Sequence, residues 1–177
     1  DKKRLIKLSD DFPLAGCVIN TSWQELGMAN ILVTRCLKNG NLIVGGYLAD
    51  TCCLGLKSTY CNAEISPEKI IADLFPKHYP EHRPMSIGID HAKEIIFSAI
   101  DYAAKLGFAP DPSFNLSRCV LGSEEVTHSR AIRFGGLDGK PFYVAGPNDD
   151  TPKIIRRLTE HLGRDGFRFM MPMSFPR

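Results

Sequence analysis

The segment from Ile43 to Lys57 carries Asp50, Cys53 and Lys57 where an apolar, strand-like run passes into a turn. Functional groups are often found where a rigid strand ends and a loop begins. A carboxylate, a thiol and an amine in one turn are side chains that a small hydrolase or phosphodiesterase uses for acid–base and nucleophilic chemistry. Asp50, Cys53 and Lys57 are therefore the candidate catalytic set, although the segment does not specify a reaction.

The adjacent thiols of Cys52 and Cys53 allow two interpretations. In the first, one of them is a nucleophilic or redox thiol, assisted by Asp50 and by a histidine such as His91 or His128. In the second, one cysteine packs in the core and the other has no role, because consecutive side chains of an extended segment point to opposite faces. The chain has no Cys-x-x-Cys motif, which favours the second interpretation.

Metal binding has weak support in the sequence. His78 and His82 have an i, i+4 spacing, but Pro80 lies between them and is incompatible with a regular helix there. Structural zinc sites usually need cysteines two to four residues apart in two knuckles, and Cys52, Cys53 and Cys61 do not form that pattern. We predict a solvated loop and no metal ligands. No cofactor motif is found, so a cofactor stays unknown.

The loop from Gly146 to Pro152 leads from a predicted strand into a predicted helix, whose free N–H groups can hold a phosphate. Asp149 and Asp150 oppose that interpretation, because they already supply negative charge at the helix start. They could instead hold Mg²⁺, alone or with Asp50. Helix capping is the favoured role for both.

Several arginines are candidate binding residues. Arg35 lies on an apolar strand, where it would contact a ligand, or else form an internal ion pair or lie at a sheet edge; an internal ion pair or a sheet-edge position is favoured over a ligand contact. Basic residues also gather at both ends of the chain, and Arg168 alternates with Phe167 and Phe169 as in a surface that stacks single-stranded nucleic acid. Solvated faces explain the same residues, and no nucleic-acid-binding motif is present. The candidate contacts at the C-terminal end are Arg156, Arg157 and Arg168.

The composition is that of an ordinary globular protein. The chain has 177 residues, 44% hydrophobic and 24% charged, with a formal net charge of +2. This charge does not by itself indicate a nucleic-acid or membrane binder. We expect one domain over residues 1–177, no signal peptide or membrane span, and six free cysteines in a reducing, cytoplasmic location. Because Asp1 is not an initiator methionine, a fragment of a longer chain stays an alternative.

The elements that must position these residues begin with a β-hairpin. Two apolar runs, 28–38 and 41–51, flank Asn39-Gly40, a dipeptide typical of a two-residue type I′ turn. In that register Arg35 lies opposite Val44, and Ala29 lies opposite Asp50. Arg35 and Asp50 then share one face of the sheet but lie roughly 20 Å apart, too far for an ion pair.

Helices and a second hairpin are predicted after it. Ser66-Pro67 starts a helix to about Phe75, followed by a proline-rich loop, and an amphipathic helix runs from about Asp90 to Leu106. Segments 131–134 and 141–145 read as a second hairpin, 151–162 as a helix and 167–171 as a strand. This order predicts an α+β fold, with three to five helices packed against a mainly antiparallel sheet.

Three segments, 28–35, 47–57 and 102–108, together resemble a group of uncharacterised bacterial proteins. In that group a hairpin ends in the pattern Asp…Cys-Leu-Gly-x-Lys, which matches Asp50, Cys53, Gly55 and Lys57 here. The resemblance covers about two thirds of the chain. It implies a cytoplasmic bacterial protein and implies no activity.

Three functions remain open from the sequence. The favoured one is a non-catalytic binding or accessory module that contacts nucleic acid or a protein partner. The alternatives are the small hydrolase or phosphodiesterase around Asp50, and a protein-interaction domain that forms a homodimer. No catalytic motif is complete, and this absence favours the binding module.

Overall fold

The main sheet is built on the hairpin that the sequence predicts around Asn39 and Gly40. The structure is a computed structural model that describes residues 1–172. Its five-stranded sheet is antiparallel throughout, in the order β4-β3-β2-β1-β5. The strands are β1 (Leu14–Ile19), β2 (Met28–Cys36), β3 (Leu42–Asp50), β4 (Gly55–Ile65) and β5 (Met85–Ser86). With the helices described below, the predicted α+β class is confirmed.

The turn of this hairpin has three residues, not two. Leu37 donates its N–H to the carbonyl of Asn41 (2.8 Å), and Gly40 closes the turn with φ +84°. A three-residue loop of this kind ends in a left-handed residue that forms a bulge, a position that glycine fills without strain. The predicted type I′ turn is therefore wrong, and the register shifts by one residue.

This shift moves Arg35 and Asp50 to opposite faces of the sheet. Arg35 lies opposite Ile43, and Asp50 lies opposite Met28. Side chains alternate between faces along a strand, so a slip of one residue reverses which face each side chain occupies. The prediction that Arg35 and Asp50 share a face is wrong. Ala29 lies opposite Ala49, not opposite Asp50.

Strand β4 was not predicted, although it has eleven residues. It follows β3 after a turn at residues 51–54 and pairs with β3 along its length, with two irregularities in register. Polar residues such as Lys57, Ser58 and Asn62 hide its strand pattern in the sequence. β4 matters for the site because it carries both Lys57 and Tyr60.

Helices cover both faces of the main sheet. One face packs against α5 (Ile89–Lys105), α6 (Phe114–Leu121) and α1 (Lys2–Lys7) around a core that includes Ile31 and Tyr47. Ala92, Ile95, Ile96 and Ala99 of the predicted apolar stripe of α5 are fully buried. The remaining short elements near the N-terminus are a 3-10 turn (Ser9–Asp11) and α2 (Trp23–Leu26).

The other face of the sheet is covered by one helical segment with a π turn inside it. It consists of α3 (Pro67–Lys69), a π turn (Ile70–Leu74) and α4 (Phe75–His78). Ser66 caps its start as predicted, accepting the N–H of Lys69 at 3.4 Å. The predicted end at Phe75 is wrong, because the helix continues past Pro76 to His78. π turns are rare and are frequent at functional sites.

The last third of the described chain forms a small parallel sheet. β6 (Phe142–Val144) pairs in parallel with β7 (Arg168–Met170), and α7 (Thr151–Leu162) connects them. Parallel strands need such a crossover. The predicted hairpin is wrong, because residues 131–134 form no strand, although residues 136–140 do make a turn. α7 and the final strand are confirmed.

Candidate functional site

The Asp50 turn, residues 50–57, contains the three candidate catalytic residues. Each of them is held by hydrogen bonds within the chain. One oxygen of Asp50 accepts the N–H groups of Cys52 (2.8 Å) and Cys53 (3.1 Å), and the other accepts that of Leu54 (3.0 Å). A carboxylate in this position caps a turn by satisfying backbone donors. Asp50 is buried. Its two oxygens are thus occupied by the turn that they stabilise.

Opposing effects act on the Asp50 carboxyl. Burial is the strongest and raises its pKa above the ordinary value, because the charged form loses solvation. The three N–H groups and the Lys57 ammonium act in the other direction and favour the carboxylate. A buried carboxyl with a raised pKa is found at many catalytic sites. Here, however, the same geometry is explained by capping alone.

The thiol of Cys53 is buried in a hydrophobic cluster. Cys53 is 0% exposed, and burial, followed by the nearby Asp50 charge, raises the pKa of its thiol far above the ordinary value. Cys52 is partly buried, and its thiol donates to the carbonyl of Gly135 at 3.5 Å. Thiolates are the reactive form of cysteine, so neither thiol is activated as a nucleophile. The cluster around Cys53 contains Leu54, Leu106, Tyr143, Leu158 and Phe167.

The two histidines predicted to assist these thiols have other contacts. His91 meets Trp23 edge to face, with ring centroids 6.0 Å apart. His128 lies 3.4 Å from the hydroxyl of Ser98 on α5. Neither histidine forms a hydrogen bond to Cys52 or Cys53 among the described residues. The structure therefore does not assemble the predicted thiol–histidine pair.

Close packing against α5 and a left-handed backbone conformation require glycine at position 55. Its φ is +68°, and a Cβ at this position would lie 2.6 Å from the Cβ of Ala103 and 2.8 Å from the carbonyl oxygen of Ala99. Both neighbours belong to α5. Only glycine allows the start of β4 to approach this helix so closely. The Cys-Leu-Gly part of the pattern is accounted for by packing.

Lys57 binds the loop before α7. Its ammonium lies 3.2 Å from Asp149 Oδ2, with both side chains mostly buried. The same carboxylate oxygen accepts the hydroxyl of Tyr143 (3.1 Å) and the N–H of Gly146 (2.8 Å). Burial alone would raise the pKa of Asp149, but the N–H of Gly146 and the Lys57 charge outweigh it and lower the pKa. Lys57 thus ties the main sheet to the C-terminal layer.

The predicted role of Asp150 as a helix cap is confirmed. Its side chain accepts the N–H of Lys153 at 3.3 Å at the start of α7. Asp149 caps no helix; it forms the ion pair with Lys57. Among residues 1–172, no three His, Cys, Asp or Glu side chains converge as a metal site. The alternative Mg²⁺ set of Asp149, Asp150 and Asp50 is therefore not assembled.

Arg35 has internal partners. Its guanidinium donates to the carbonyl oxygens of Val120 (2.8 Å) and Phe12 (2.9 Å), and it lies 3.8 Å from the Asp10 carboxylate. The side chain is almost fully buried. This is the internal arrangement that the sequence favoured for Arg35 over a ligand contact.

Two of the three C-terminal arginines have partners within the chain. Arg157 donates to the carbonyl of Gly107 at 2.7 Å and so packs α7 against the end of α5. Arg168 forms an exposed ion pair with Asp138 at 3.0 Å. Arg156 is exposed on α7. Two of the three predicted nucleic-acid contacts are thus engaged within the chain.

A wide apolar groove opens on the face of the main sheet that the helical segment 67–78 covers. We call it the Tyr79 groove; its volume is about 710 Å³, larger than that of the four other pockets described. It lies between the helical segment 67–78 and the short strand β5. Its lining residues are Val18, Ile71, Phe75, Pro76, Tyr79, Pro80, Glu81, His82, Arg83, Pro84 and Ser86. Cavities of this size and character are the usual places for ligands.

A second, smaller cavity lies on the other side of the 79–82 loop. It has a volume of about 240 Å³ and is lined partly by Asn20, Asn30 and His78. His78 Nδ1 lies 2.9 Å from Asn30 Oδ1, and His78 Nε2 lies 2.8 Å from the hydroxyl of Tyr60. This network has no signal in the sequence, because its members lie on three separate elements. In the sequence, this region is marked only by the i, i+4 spacing of His78 and His82 on either side of Pro80.

No family model, curated protein or solved structure matches this chain. The resemblance to a bacterial group through Asp50, Cys53, Gly55 and Lys57 stays a prediction. Within residues 1–172, the helices are all too short or too polar to cross a membrane.

Proposed function

We propose that this chain is a non-catalytic binding module that holds an extended segment of a partner protein in the Tyr79 groove. The observation that carries the proposal is an apolar groove of about 710 Å³ beside an open sheet edge. The state of the Asp50 turn supports the non-catalytic part, because its carboxylate, thiol and ammonium groups are all bonded or buried within the chain.

The groove exposes apolar side chains that soluble proteins normally bury. Ile71 is 66% exposed and Met85, next to the groove on β5, is 39% exposed. Phe75 and Tyr79 supply aromatic walls, with ring centroids 5.8 Å apart. Contiguous exposed apolar surface marks interaction sites, and aromatic and proline-lined grooves are a common way to hold extended peptides.

The edge of the main sheet beside the groove offers backbone hydrogen bonds. β5 is the last strand of the sheet, and Ile87 donates its N–H to the carbonyl of Cys17 at 3.0 Å. In an antiparallel pair the bonded and non-bonded residues alternate, so the N–H and C=O of Ser86 point away from β1. A partner segment can add to this edge as a further strand, with alternate side chains in the groove.

The charges at the groove indicate what else the partner carries. Arg83 lines the groove and Lys77 lies on the adjoining helix α4, against a single acidic lining residue, Glu81. None of the three forms an ion pair among residues 1–172. Arginine binds carboxylates through two parallel hydrogen bonds. The partner segment is therefore apolar at alternate positions and carries at least one Asp or Glu.

The test uses synthetic octapeptides in which valine and leucine alternate with polar residues, including two aspartates. We expect such peptides to shift the amide NMR signals of Ile71, Tyr79 and Ser86 in the ¹⁵N-labelled protein. Ile71→Glu weakens binding about tenfold or more, because it removes apolar contact and repels the aspartates. The matched control is Leu137→Glu, since Leu137 is 94% exposed and does not line the groove.

A control peptide with lysine in place of both aspartates separates the effect of charge from that of apolar contact. We expect it to bind at least about fivefold more weakly. The proposal is wrong if no peptide of the series perturbs the groove signals. It is also wrong if the chain instead binds a single-stranded oligonucleotide with a steep salt dependence that Arg156→Ala and Arg168→Ala reduce.

A further inference from the structure

The small parallel sheet in the last third of the chain has an open edge at β7. Among residues 1–172, β7 pairs with β6 alone, and each of these strands has three residues. A two-stranded pair needs a helix or further strands to be stable. Here Leu158 of α7 packs in one cluster with Tyr143 on one face of the sheet, while the edge of β7 stays uncovered.

The backbone bonds of β7 show which of its groups are free. Arg168 donates its N–H to the carbonyl of Pro141 (2.8 Å), and the carbonyl of Met170 accepts the N–H of Ala145 (3.0 Å). Along a paired strand, residues that bond to the neighbouring strand alternate with residues that point away from it. The N–H and C=O of Phe169 therefore point to the free edge, and they form no backbone bond there among residues 1–172.

The side chains along this edge are apolar and open to solvent. Phe169 is 53% exposed, Met170 is 55% exposed and Met171 is 51% exposed. Val144 of β6 lies beside Met170 in the sheet and is also half-exposed. Contiguous exposed apolar surface of this kind marks an interaction site.

The edge of β4 in the main sheet is protected in a way that the edge of β7 is not. β4 carries the charged residues Lys57 and Glu64. Asp111 closes part of its edge, because its N–H bonds the carbonyl of Leu56 (3.0 Å) and its carboxylate accepts the N–H of Thr59 (3.2 Å). Charges, bulges and covering loops are the usual protection of an edge strand against pairing. The β7 edge has an apolar run instead, so a further strand can pair with it.

The sequence of this edge favours one register for the pairing of two copies. In an antiparallel pair, a residue that points outward must face another outward residue. A two-fold pair centred on Phe169 joins Phe169 to its own equivalent, and Phe167 to Met171 of the second copy. A pair centred on Arg168 would place two arginines directly opposite each other, which is unfavourable. A pair centred on Met170 would leave Phe167 without a partner inside the run 167–171.

The charges of the edge are compatible with this register. Each Arg168 then lies opposite Met170 of the second copy, in a non-hydrogen-bonded pair whose Cα atoms are about 4.5 Å apart. The Arg168 guanidinium already has an ion-pair partner in its own chain, Asp138, at 3.0 Å. Pairing therefore brings no uncompensated charges together.

The available surface predicts a weak complex. A large side chain buries about 150–250 Å² when it is fully covered, so four half-exposed ones supply roughly 400 Å² on each copy and roughly 800 Å² in total. The backbone of the two strands adds to this area. Specific interfaces below about 1,200 Å² are those of weak complexes. We therefore expect a Kd of roughly 10–100 μM.

We infer that two copies of this chain associate through β7, in a two-fold dimer whose four-stranded sheet has the order β6-β7-β7-β6 and is centred on Phe169. Two-fold dimers are the commonest assemblies of soluble proteins. The homodimer that the sequence left open thus has a defined interface. This interface is separate from the Tyr79 groove, so the inference does not depend on the proposed function.

Sedimentation velocity of the full chain at about 5 to 500 μM tests the association, since this range spans the expected Kd. We expect the mass to rise from 19.7 kDa towards twice that value as the concentration increases. A protein that stays monomeric at the highest concentration would overturn the inference.

Two variants locate the interface. Phe169→Lys places two ammonium groups opposite each other at the centre of the pair, so the Kd should rise about tenfold or more. Met85→Lys is the matched control, because Met85 is an exposed apolar residue on β5, the edge strand of the other sheet. It should leave the Kd unchanged. A dimer that Met85→Lys weakens and Phe169→Lys does not would use the wrong edge for this inference.

An NMR measurement on the unmodified sequence tests the register, and it holds even if Phe169→Lys fails to fold. Labelled (¹³C, ¹⁵N) and unlabelled protein are mixed, so that an isotope-filtered NOESY spectrum reports contacts between copies alone. We expect a contact between the Hα of Arg168 and the Hα of Met170, because the two residues are directly opposite in the predicted pair. Contacts between copies that involve other segments, and none from β7, would contradict the inference.

Discussion

At the Asp50 turn, three backbone N–H groups meet one carboxylate, and Lys57 meets Asp149 at 3.2 Å. At the Tyr79 groove, Arg83 has no ion-pair partner among residues 1–172 and Ile71 is mostly exposed. The first region has the residues that suggest chemistry in the sequence, and the second has the groups that remain available. The comparison teaches that residue type identifies a candidate catalytic site. Charged groups without a partner and exposed apolar side chains identify a binding surface.

The largest effect should come from Gly55→Ala. The new Cβ would overlap Ala103 and the Ala99 carbonyl, and the positive φ adds strain of about 1–2 kcal/mol. We expect a total loss of about 3 kcal/mol or more in the free energy of unfolding, measured by urea denaturation. Gly40→Ala is the matched control, with φ +84° and nothing within 4 Å of an added Cβ. Equal losses in the two variants would mean that close packing of α5 on Gly55 is unimportant.

Lys57→Met should have the next largest effect, because it removes the charged partner of a mostly buried carboxylate. We expect a loss of about 2 kcal/mol at pH 7. The pKa of Asp149 is lowered in the folded state, so its stabilising contribution is present above about pH 4 and disappears as the pH falls through the folded pKa. The difference between the two proteins should therefore shrink towards pH 2.

Urea denaturation at pH 7 and pH 2.5 measures this difference. Lys38→Met is the control, since Lys38 is exposed in the β2–β3 turn and has no ion pair among the described residues. We expect it to change stability by less than about 0.5 kcal/mol. A difference for Lys57→Met that stays constant with pH would show that Asp149 is not the group responsible.

A third test concerns the thiols themselves. Cys53 is fully buried and its thiol has a strongly raised pKa, so the native protein at pH 8 should alkylate there far more slowly than at the partly buried Cys52. Mass spectrometry after timed iodoacetamide treatment gives the order. Rapid labelling of Cys53 in the folded protein would return the Asp50 turn to the list of possible catalytic sites.

The smallest expected effect on stability is at the groove. Ile71→Glu, which should abolish most peptide binding, should change the free energy of unfolding by less than about 0.5 kcal/mol, because the side chain is already solvated. Urea denaturation of Ile71→Glu and Gly55→Ala side by side compares the loss in the free energy of unfolding at the groove with the loss at the Asp50 turn. A large loss for Ile71→Glu would mean that Ile71 serves the core instead of a partner.

Features with local causes could be predicted from the sequence. The hairpin follows from two apolar runs around Asn39-Gly40, and α5 follows from the spacing of its apolar residues. The register did not follow, because the same dipeptide fits a two-residue or a three-residue loop. The parallel pairing of β6 with β7 has no local signal, since its strands are brought together only by packing around Tyr143.

The candidate site shows the same division. Asp50, Cys53, Gly55 and Lys57 stood out because they are close in sequence, and they are indeed close in space. What they do depends on groups far along the chain, such as Asp149 and Ala103, which the sequence does not associate with them. At the Tyr79 groove the sequence predicts only a solvated loop, because nothing in its prolines indicates the sheet edge beside them.

The late position of β7 in the chain also sets an order in time. The main sheet is fully synthesised by residue 86, whereas 114 residues separate Cys53 from Phe167, which helps to bury it (167 minus 53). At about 5–20 residues per second, a ribosome takes roughly 6–23 s to make that stretch. During translation the thiol of Cys53 therefore lacks the cover of Phe167 for that interval, and we expect it to be more open to oxidants and alkylating agents then than in the folded protein.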